Sequence, residues 1–243
     1  MKTTTKRILF STVLTLFLGF VAVSAIHKRY SVLAPVLAQI KTTGACVSCS
    51  LENFDLQHLD LSGIDFRGAN LQGANLEATN LSEANLSGAI LIEANLHKAY
   101  LYKAKLLGAN LTGADLSRAY LAKSNLSETH LTEANLSGAD LSNSNLIDAN
   151  LTKADLSYGN LYLTNLLRAN LTRTDLTNSN LLAAHLAETN LDLTDLSGAN
   201  LSGVDLRDTS LHNVVLCQTR MPDGAVNNTR CPQFKNDSPS VTK

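Results

Sequence analysis

Residues 51–216 contain no proline; the four prolines of the chain stand at Pro35, Pro222, Pro232 and Pro239. A long proline-free stretch keeps every backbone N–H available for strand pairing. The same stretch lacks an excess of positive charge. It holds 19 acidic and 10 basic residues, whereas the first 50 residues carry +6 and the segment after residue 216 carries +2. A basic nucleic-acid footprint is therefore absent. No nucleophile elbow, phosphate-binding loop or metal-ligand motif occurs anywhere. The carboxylates are numerous, but acid–base catalysis needs a pocket that raises the pKa of one of them, and nothing in the spacing indicates one. Cysteine is confined to four positions: Cys46, Cys49, Cys217 and Cys231.

What the chain does have is a period. Every fifth residue from Leu51 to Leu216 is leucine, except Phe66, which makes 34 consecutive units without a slip. Helices repeat their apolar positions every 3.6 residues and strands every 2. Neither period accommodates five. A chain that bends regularly does: five residues form one side of a square coil, four sides make a coil, and coils stack about 4.8 Å apart. Two residues before each leucine the residue is small (Ala69, Ala74, Thr79, Ala84, Ser124, Thr164), as a narrow, densely packed interior requires. The residue directly before leucine is mostly Asn or Asp (Asn70, Asn75, Asp115, Asp140), types that favour bends. The two residues after it are polar and variable.

These units (ANLQG, ANLSG, ADLSR, ANLTK, ANLTR) resemble the A-(D/N)-L-x-x repeat of the pentapeptide-repeat family. The resemblance runs from Cys49 to about Gln218. It implies an all-β fold, a right-handed quadrilateral β-helix of about 8 coils. An unbroken lattice of five argues against leucine-rich repeats, whose period is about 20–29.

A solenoid must close both ends of its core. The small inward position becomes bulky at Phe54, Leu59 and Ile64, and again at Val204 and Val214, so these are the expected caps. Cys46 and Cys49 admit three readings. Zinc needs four ligands, and the nearest downstream histidine is the lone His58. A redox pair needs a helix N-terminus in a βαβ setting, and none is in sight. A structural disulfide is the third. For Cys217 and Cys231 a disulfide closing the turn Met221-Pro222-Asp223-Gly224 is expected. Both termini of the array (TGACVSCSL and CQTRMPDG) also resemble those of exported cyanobacterial pentapeptide-repeat proteins.

Lys2, Lys6 and Arg7 precede an uncharged run over residues 8–26. This has the layout of a secretory signal, with Val23-Ser24-Ala25 or Val36-Leu37-Ala38 before the cleavage point. Retained, the run approaches the ~20 residues that span a bilayer and would attach the chain to a membrane. Both readings export the array to a periplasm or thylakoid lumen, and paired cysteines suit such an oxidising space. The expected organisation is a signal peptide or anchor over 1–38, an N-terminal cap with C-x-x-C over 39–50, the solenoid over 51–216, a disulfide cap over 217–231 and a disordered polar tail over 232–243.

Function is less legible. The sides centred on Leu51, Leu56, Leu61 and Phe66 carry net −2, −4, −1 and −2, too even a distribution for a DNA mimic. His58, His97, His130, His185 and His212 point outward, and no two are spaced to stack. One pattern stands out. Tyr100, Tyr102, Tyr120 and Tyr162 all fall outward on the Leu61 side, with Lys103, Lys123, Leu163 and Leu182. Leu107, Ile147 and Leu167 extend the cluster onto the next side. Exposed aromatic clusters mark contact sites, while stacked rings can also serve stability alone. The expectation is an exported, non-enzymatic scaffold or interaction module without cofactor, metal or nucleic acid, whose partner is an unidentified protein or a second copy. The rival readings are a thiol-redox protein using Cys46 and Cys49, and an acidic DNA-mimic inhibitor.

Overall fold

The computed structural model describes Ala38, Ile40 and residues 42–231. The apolar run over residues 8–26, both cleavage points and the tail over 232–243 lie outside the described residues. Two compact units are present, Met1–Ala45 and Cys46–Lys243. In the first, the Gly44 N–H donates to the Ile40 carbonyl at 2.8 Å.

The second unit is a four-sided β-helix. Residues 20 apart pair in parallel, from Ser50 with Asn70 to Asn200 with Arg220. Each coil bonds to the next in the same way: the Leu101 N–H donates to the Tyr120 carbonyl (2.8 Å) and the Tyr120 N–H to the Ala99 carbonyl (2.9 Å). Sides are short because each ends in a turn. The N–H three residues past the central leucine donates back to that leucine's carbonyl, as from Ala139 to Leu136 at 3.0 Å. The core leucines from Leu51 to Leu201 are buried, most of them completely, and Phe66 fills the one exceptional place with no exposure.

The structure corrects the location of the bend. The residues before leucine do not form it; the two residues after leucine do. The second of these is left-handed in every unit from Asn53 to Gln218, at φ between 51° and 70°. Nine of these positions are glycine, such as Gly113 and Gly198. The rest accept a conformation that costs an L-residue roughly 1–2 kcal/mol. Asn and Asp instead brace the turn: the Asn110 Oδ1 accepts the Thr112 N–H at 3.1 Å, and the Asp175 Oδ1 accepts the Thr177 N–H at 2.8 Å. Asparagines also bond along the column, as from Asn180 Nδ2 to Asn160 Oδ1 at 3.1 Å.

Hydroxyls at the inward small position would be costly if left unpaired. Each turns onto a leucine carbonyl, as Thr164 Oγ1 does to Leu141 at 2.8 Å and Ser179 Oγ to Leu176 at 2.6 Å. Among the described residues no buried side-chain polar atom lacks a partner.

The lattice begins one unit earlier than Leu51. The Cys46 N–H donates to the Asp65 carbonyl at 2.7 Å, so Cys46 stands in the leucine column. At the other end, β1 (Leu216–Arg220) carries the last coil into an antiparallel hairpin with β2 (Val226–Thr229). Cys217 and Cys231 are joined. Ile64, Val204 and Val214 are buried, whereas Phe54 and Leu59, on the first coil, are half-buried. The pairing between coils skips one rung, Asn190 with Ser210, and there Leu206 and Leu211 become half-exposed.

Candidate interaction surface

The Leu61 side holds a column of residues that directly precede leucine: Asp60, Asn80, Tyr100, Tyr120, Asp140, Asn160, Asn180 and Asn200. Asn80 and Asp140 brace their turns, each accepting the N–H two residues on, at 3.1 and 3.0 Å. Tyrosine has no acceptor placed to do so, and the two tyrosines relinquish that bond. Their rings stack instead, with centroids 4.9 Å apart and planes 6° apart, while remaining 46% and 49% exposed. Coil stacking explains the contact, since residues 20 apart sit one coil above another.

Tyr102, on the turn that follows, lies beneath two cations. Lys103 Nζ is 5.2 Å and Lys123 Nζ 5.8 Å from its ring centroid. Lys103 also faces Glu83, at a long 3.7 Å. Tyr162, Leu163 and Leu182 form a second apolar cluster further along the same side. Between the clusters, the coil at Asp140, Ser142 and Asn143 is polar. Of the adjoining residues, Leu107 is exposed, whereas Ile147 and Leu167 are half-buried.

The remaining sites resolve as follows. Cys46 and Cys49 form a disulfide with Cα atoms 5.4 Å apart. Among the described residues no group of three or more His, Cys, Asp or Glu is arranged to hold a metal. His97 Nδ1 lies 2.7 Å from Ser117 Oγ. Ionised partners hold several surface carboxyls below their ordinary range: Arg67 at Asp65, Lys153 at Glu133, Arg168 at Asp148 and Arg207 at Asp205. One depression is lined by Met221, Pro222, Asp223 and β2; another, about 80 Å³, opens at the skipped rung beside Asp192 and His212.

Charge is ordered along the axis as well as around it. Five of the ten cations of the array (Lys98, Lys103, Lys105, Arg118 and Lys123) fall within residues 98–123, with Asp115 as the one acid among them. Tyr100, Tyr102 and Tyr120 lie in the same belt. Summing along the chain as well as around it would have revealed it.

A family model of pentapeptide repeats matches in eight copies over residues 46–82, 79–118, 109–146, 144–181 and 180–213. The chain belongs to the pentapeptide-repeat family. The right-handed quadrilateral β-helix is this family's fold. Solved pentapeptide-repeat structures similar to the chain include HetL, involved in heterocyst differentiation regulation in the cyanobacterium Nostoc sp. strain PCC 7120. It is 30% identical, with 79% of this chain and 98% of HetL covered and a TM-score of 0.31. A pentapeptide repeat protein of the Arabidopsis thaliana thylakoid lumen is 35% identical over 44% of this chain and 70% of its own, with a TM-score of 0.33. QnrB1, a plasmid-mediated fluoroquinolone resistance protein, is 17% identical over 69% of this chain and 89% of its own, with a TM-score of 0.42. No curated protein matches the chain.

Proposed function

We propose that this pentapeptide-repeat protein is an exported, non-enzymatic interaction module of a periplasm-like or lumenal space, docking a protein on the side that carries Tyr100, Tyr102 and Tyr120. The observation that carries the reading is the replacement of Asn or Asp by tyrosine in that column. It removes two turn braces and leaves two aromatic rings about half-exposed. Ile90, Lys105, His130 and His185 also depart from Asn or Asp before leucine, but Tyr100 and Tyr120 add a stacked pair of rings. Large, rigid side chains that lose little entropy on contact are what binding surfaces use. Two disulfides support an oxidising compartment.

The test is affinity capture from the native envelope or lumen fraction with wild-type chain and with Tyr100, Tyr102 and Tyr120 changed together to Ser. Loss of a specific partner with a nearly unchanged melting temperature is the expected result. Retained capture, or a fall in stability alone, would refute the docking side.

A further inference from the structure

Two pairs of like charges stack across coils in the belt, Lys98 over Arg118 and Lys103 over Lys123. Like charges also stack elsewhere at this turn position, Glu128 over Asp148, Lys153 over Arg173 and Glu188 over Asp208, while Glu133 pairs with Lys153 at 2.7 Å and Asp148 with Arg168 at 2.7 Å. Like charges set directly opposite on neighbouring strands repel. Lys103 and Lys123 share the Tyr102 ring, which offsets part of that repulsion. No carboxylate of this chain forms an ion pair with Lys98, Arg118 or Lys123 among the described residues. All three are exposed, so an anion of a partner can reach them.

The Leu61 side and the turn that leads into it suggest which partner. Over the first four coils from the N-terminus, the charged residues there are Asp60; then Glu77 and Glu83; then Lys98 and Lys103; then Arg118 and Lys123, with Asp140 on the fifth. Two acidic coils precede two basic ones. Such a strip complements its own reverse. Laid antiparallel on a second copy, with a two-fold axis between the second and third of these coils, the second coil faces the third. Glu77 and Glu83 then meet the other copy's Lys98 and Lys103. The first coil faces the fourth, so Asp60 meets Arg118 and Lys123, with the Tyr120 hydroxyl as a further donor. Every pairing occurs twice, as in any isologous interface. Coil spacing matches automatically, because both partners share the same ~4.8 Å rise. A parallel, in-register pair would set like charges against each other.

The geometry points to an antiparallel homodimer formed through the Leu61 side, with Tyr100, Tyr102 and Tyr120 at its centre and the Asp60/Glu77/Glu83 and Lys98/Lys103/Arg118/Lys123 sets exchanged between copies. This rests on the docking side proposed above and names its occupant as a second copy. A polar, charge-steered contact is screened by salt. Glu83 and Lys103, 65% and 50% exposed at 3.7 Å, have little to lose on exchanging partners.

Charge exchange tests it. Sedimentation velocity on the full chain, in one neutral detergent throughout, would compare wild type with two variants. One carries Lys98→Glu and Lys103→Glu, the other Glu77→Lys and Glu83→Lys. Wild type should sediment as a dimer, and its dissociation constant should rise at least about tenfold between about 50 mM and 500 mM salt. Each variant alone should be monomeric, since the two central coils that face each other then carry one sign. An equimolar mixture of the two variants should recover a dimer, because the acidic central coils of one meet the basic central coils of the other, and Asp60 of each still meets Arg118 and Lys123 of its partner. A monomeric wild type, variants that still dimerise, or a mixture that stays monomeric overturns the proposal. If wild type is monomeric but the tyrosine variant still loses a captured partner, the homodimer is wrong and the docking side stands.

Discussion

Cys46 and Cys49 occupy the two inward positions that face each other across one turn, three residues apart, and are covalently joined there. Downstream the same two positions are filled by a leucine and a small residue, as in Leu136 and Ala139. The first turn of the lattice thus replaces a core packing contact with a bond. That placement matters at an end, where the inward column has a coil on one side only and burial is incomplete.

Changing Cys46 and Cys49 together to Ala should therefore loosen the start of the lattice and little else. Amide exchange should accelerate at Leu51, Asn53 and Leu56 while Leu136 keeps its protection. The Cys217–Cys231 bond, with a sequence separation of 14, closes a longer loop, and its removal should cost up to ~3 kcal/mol in the loop-entropy account. Hydrogen exchange read by mass spectrometry separates the two effects. Uniform acceleration along the array in the first variant would contradict the local role.

Leu136→Ala should destabilise by ~2–5 kcal/mol, since it empties a fully buried site between coils that cannot collapse onto it. Leu211→Ala should cost clearly less, because Leu211 is half-exposed beside the skipped rung. Denaturant unfolding of both variants measures the difference. Equal losses would mean that the last coil is as tightly packed as the middle.

Two glycines at the left-handed position predict unequal costs. At Gly108, φ is 63° and an added methyl group meets open space, so Gly108→Ala should cost only the conformational strain, about 1 kcal/mol. At Gly198, φ is 70° and the same methyl would lie 2.5 Å from Asn178 Oδ1. Gly198→Ala should cost more, unless the Asn178 side chain swings away. Melting temperatures of the pair, with Asn178→Ala in the Gly198→Ala background as control, decide it.

Acid should weaken the fold. Asp65, Glu133, Asp148 and Asp205 have folded pKa values lowered chiefly by hydrogen bonds from Arg67, Lys153, Arg168 and Arg207. A depressed folded value means that the stabilisation is present above the unfolded carboxyl pKa, about 4, and is lost as pH falls through the lower folded value. The melting temperature should decline as pH falls below about 5. Replacing Asp148 with Asn and Arg168 with Gln should shallow that decline. An unchanged slope would assign the acid sensitivity to other groups. Because these pairs are exposed, the effect should also shrink in high salt.

Much of the architecture was legible in the residues. An apolar period of five has one economical solution, and the alternation of Ala or Thr with Leu marked both inward columns. The bend is not legible there, because Asn110 or Asp175 before leucine looks like a turn former when it is a brace for the turn two residues on. Glycine at Gly63, Gly68, Gly73 and Gly198 marks the left-handed position, diluted by Lys, Glu, Arg and other residues at the remaining turns. At the surface, the tyrosine column could be read from spacing. The charge belt around it was hidden by sorting residues around the axis and not along it.

The sequence by itself determined which residues face in, which face out, and which lie one coil above another, because all three follow from counting in fives and twenties. Only the tertiary structure decided where each unit turns, that Cys46 belongs to the core column, that Tyr100 and Tyr120 meet face to face, and that Asn190 and Ser210 part. Those outcomes depend on backbone torsions and on coil-to-coil hydrogen bonds, whose energies differ by a kilocalorie or so among alternatives and leave no periodic mark on side-chain identity.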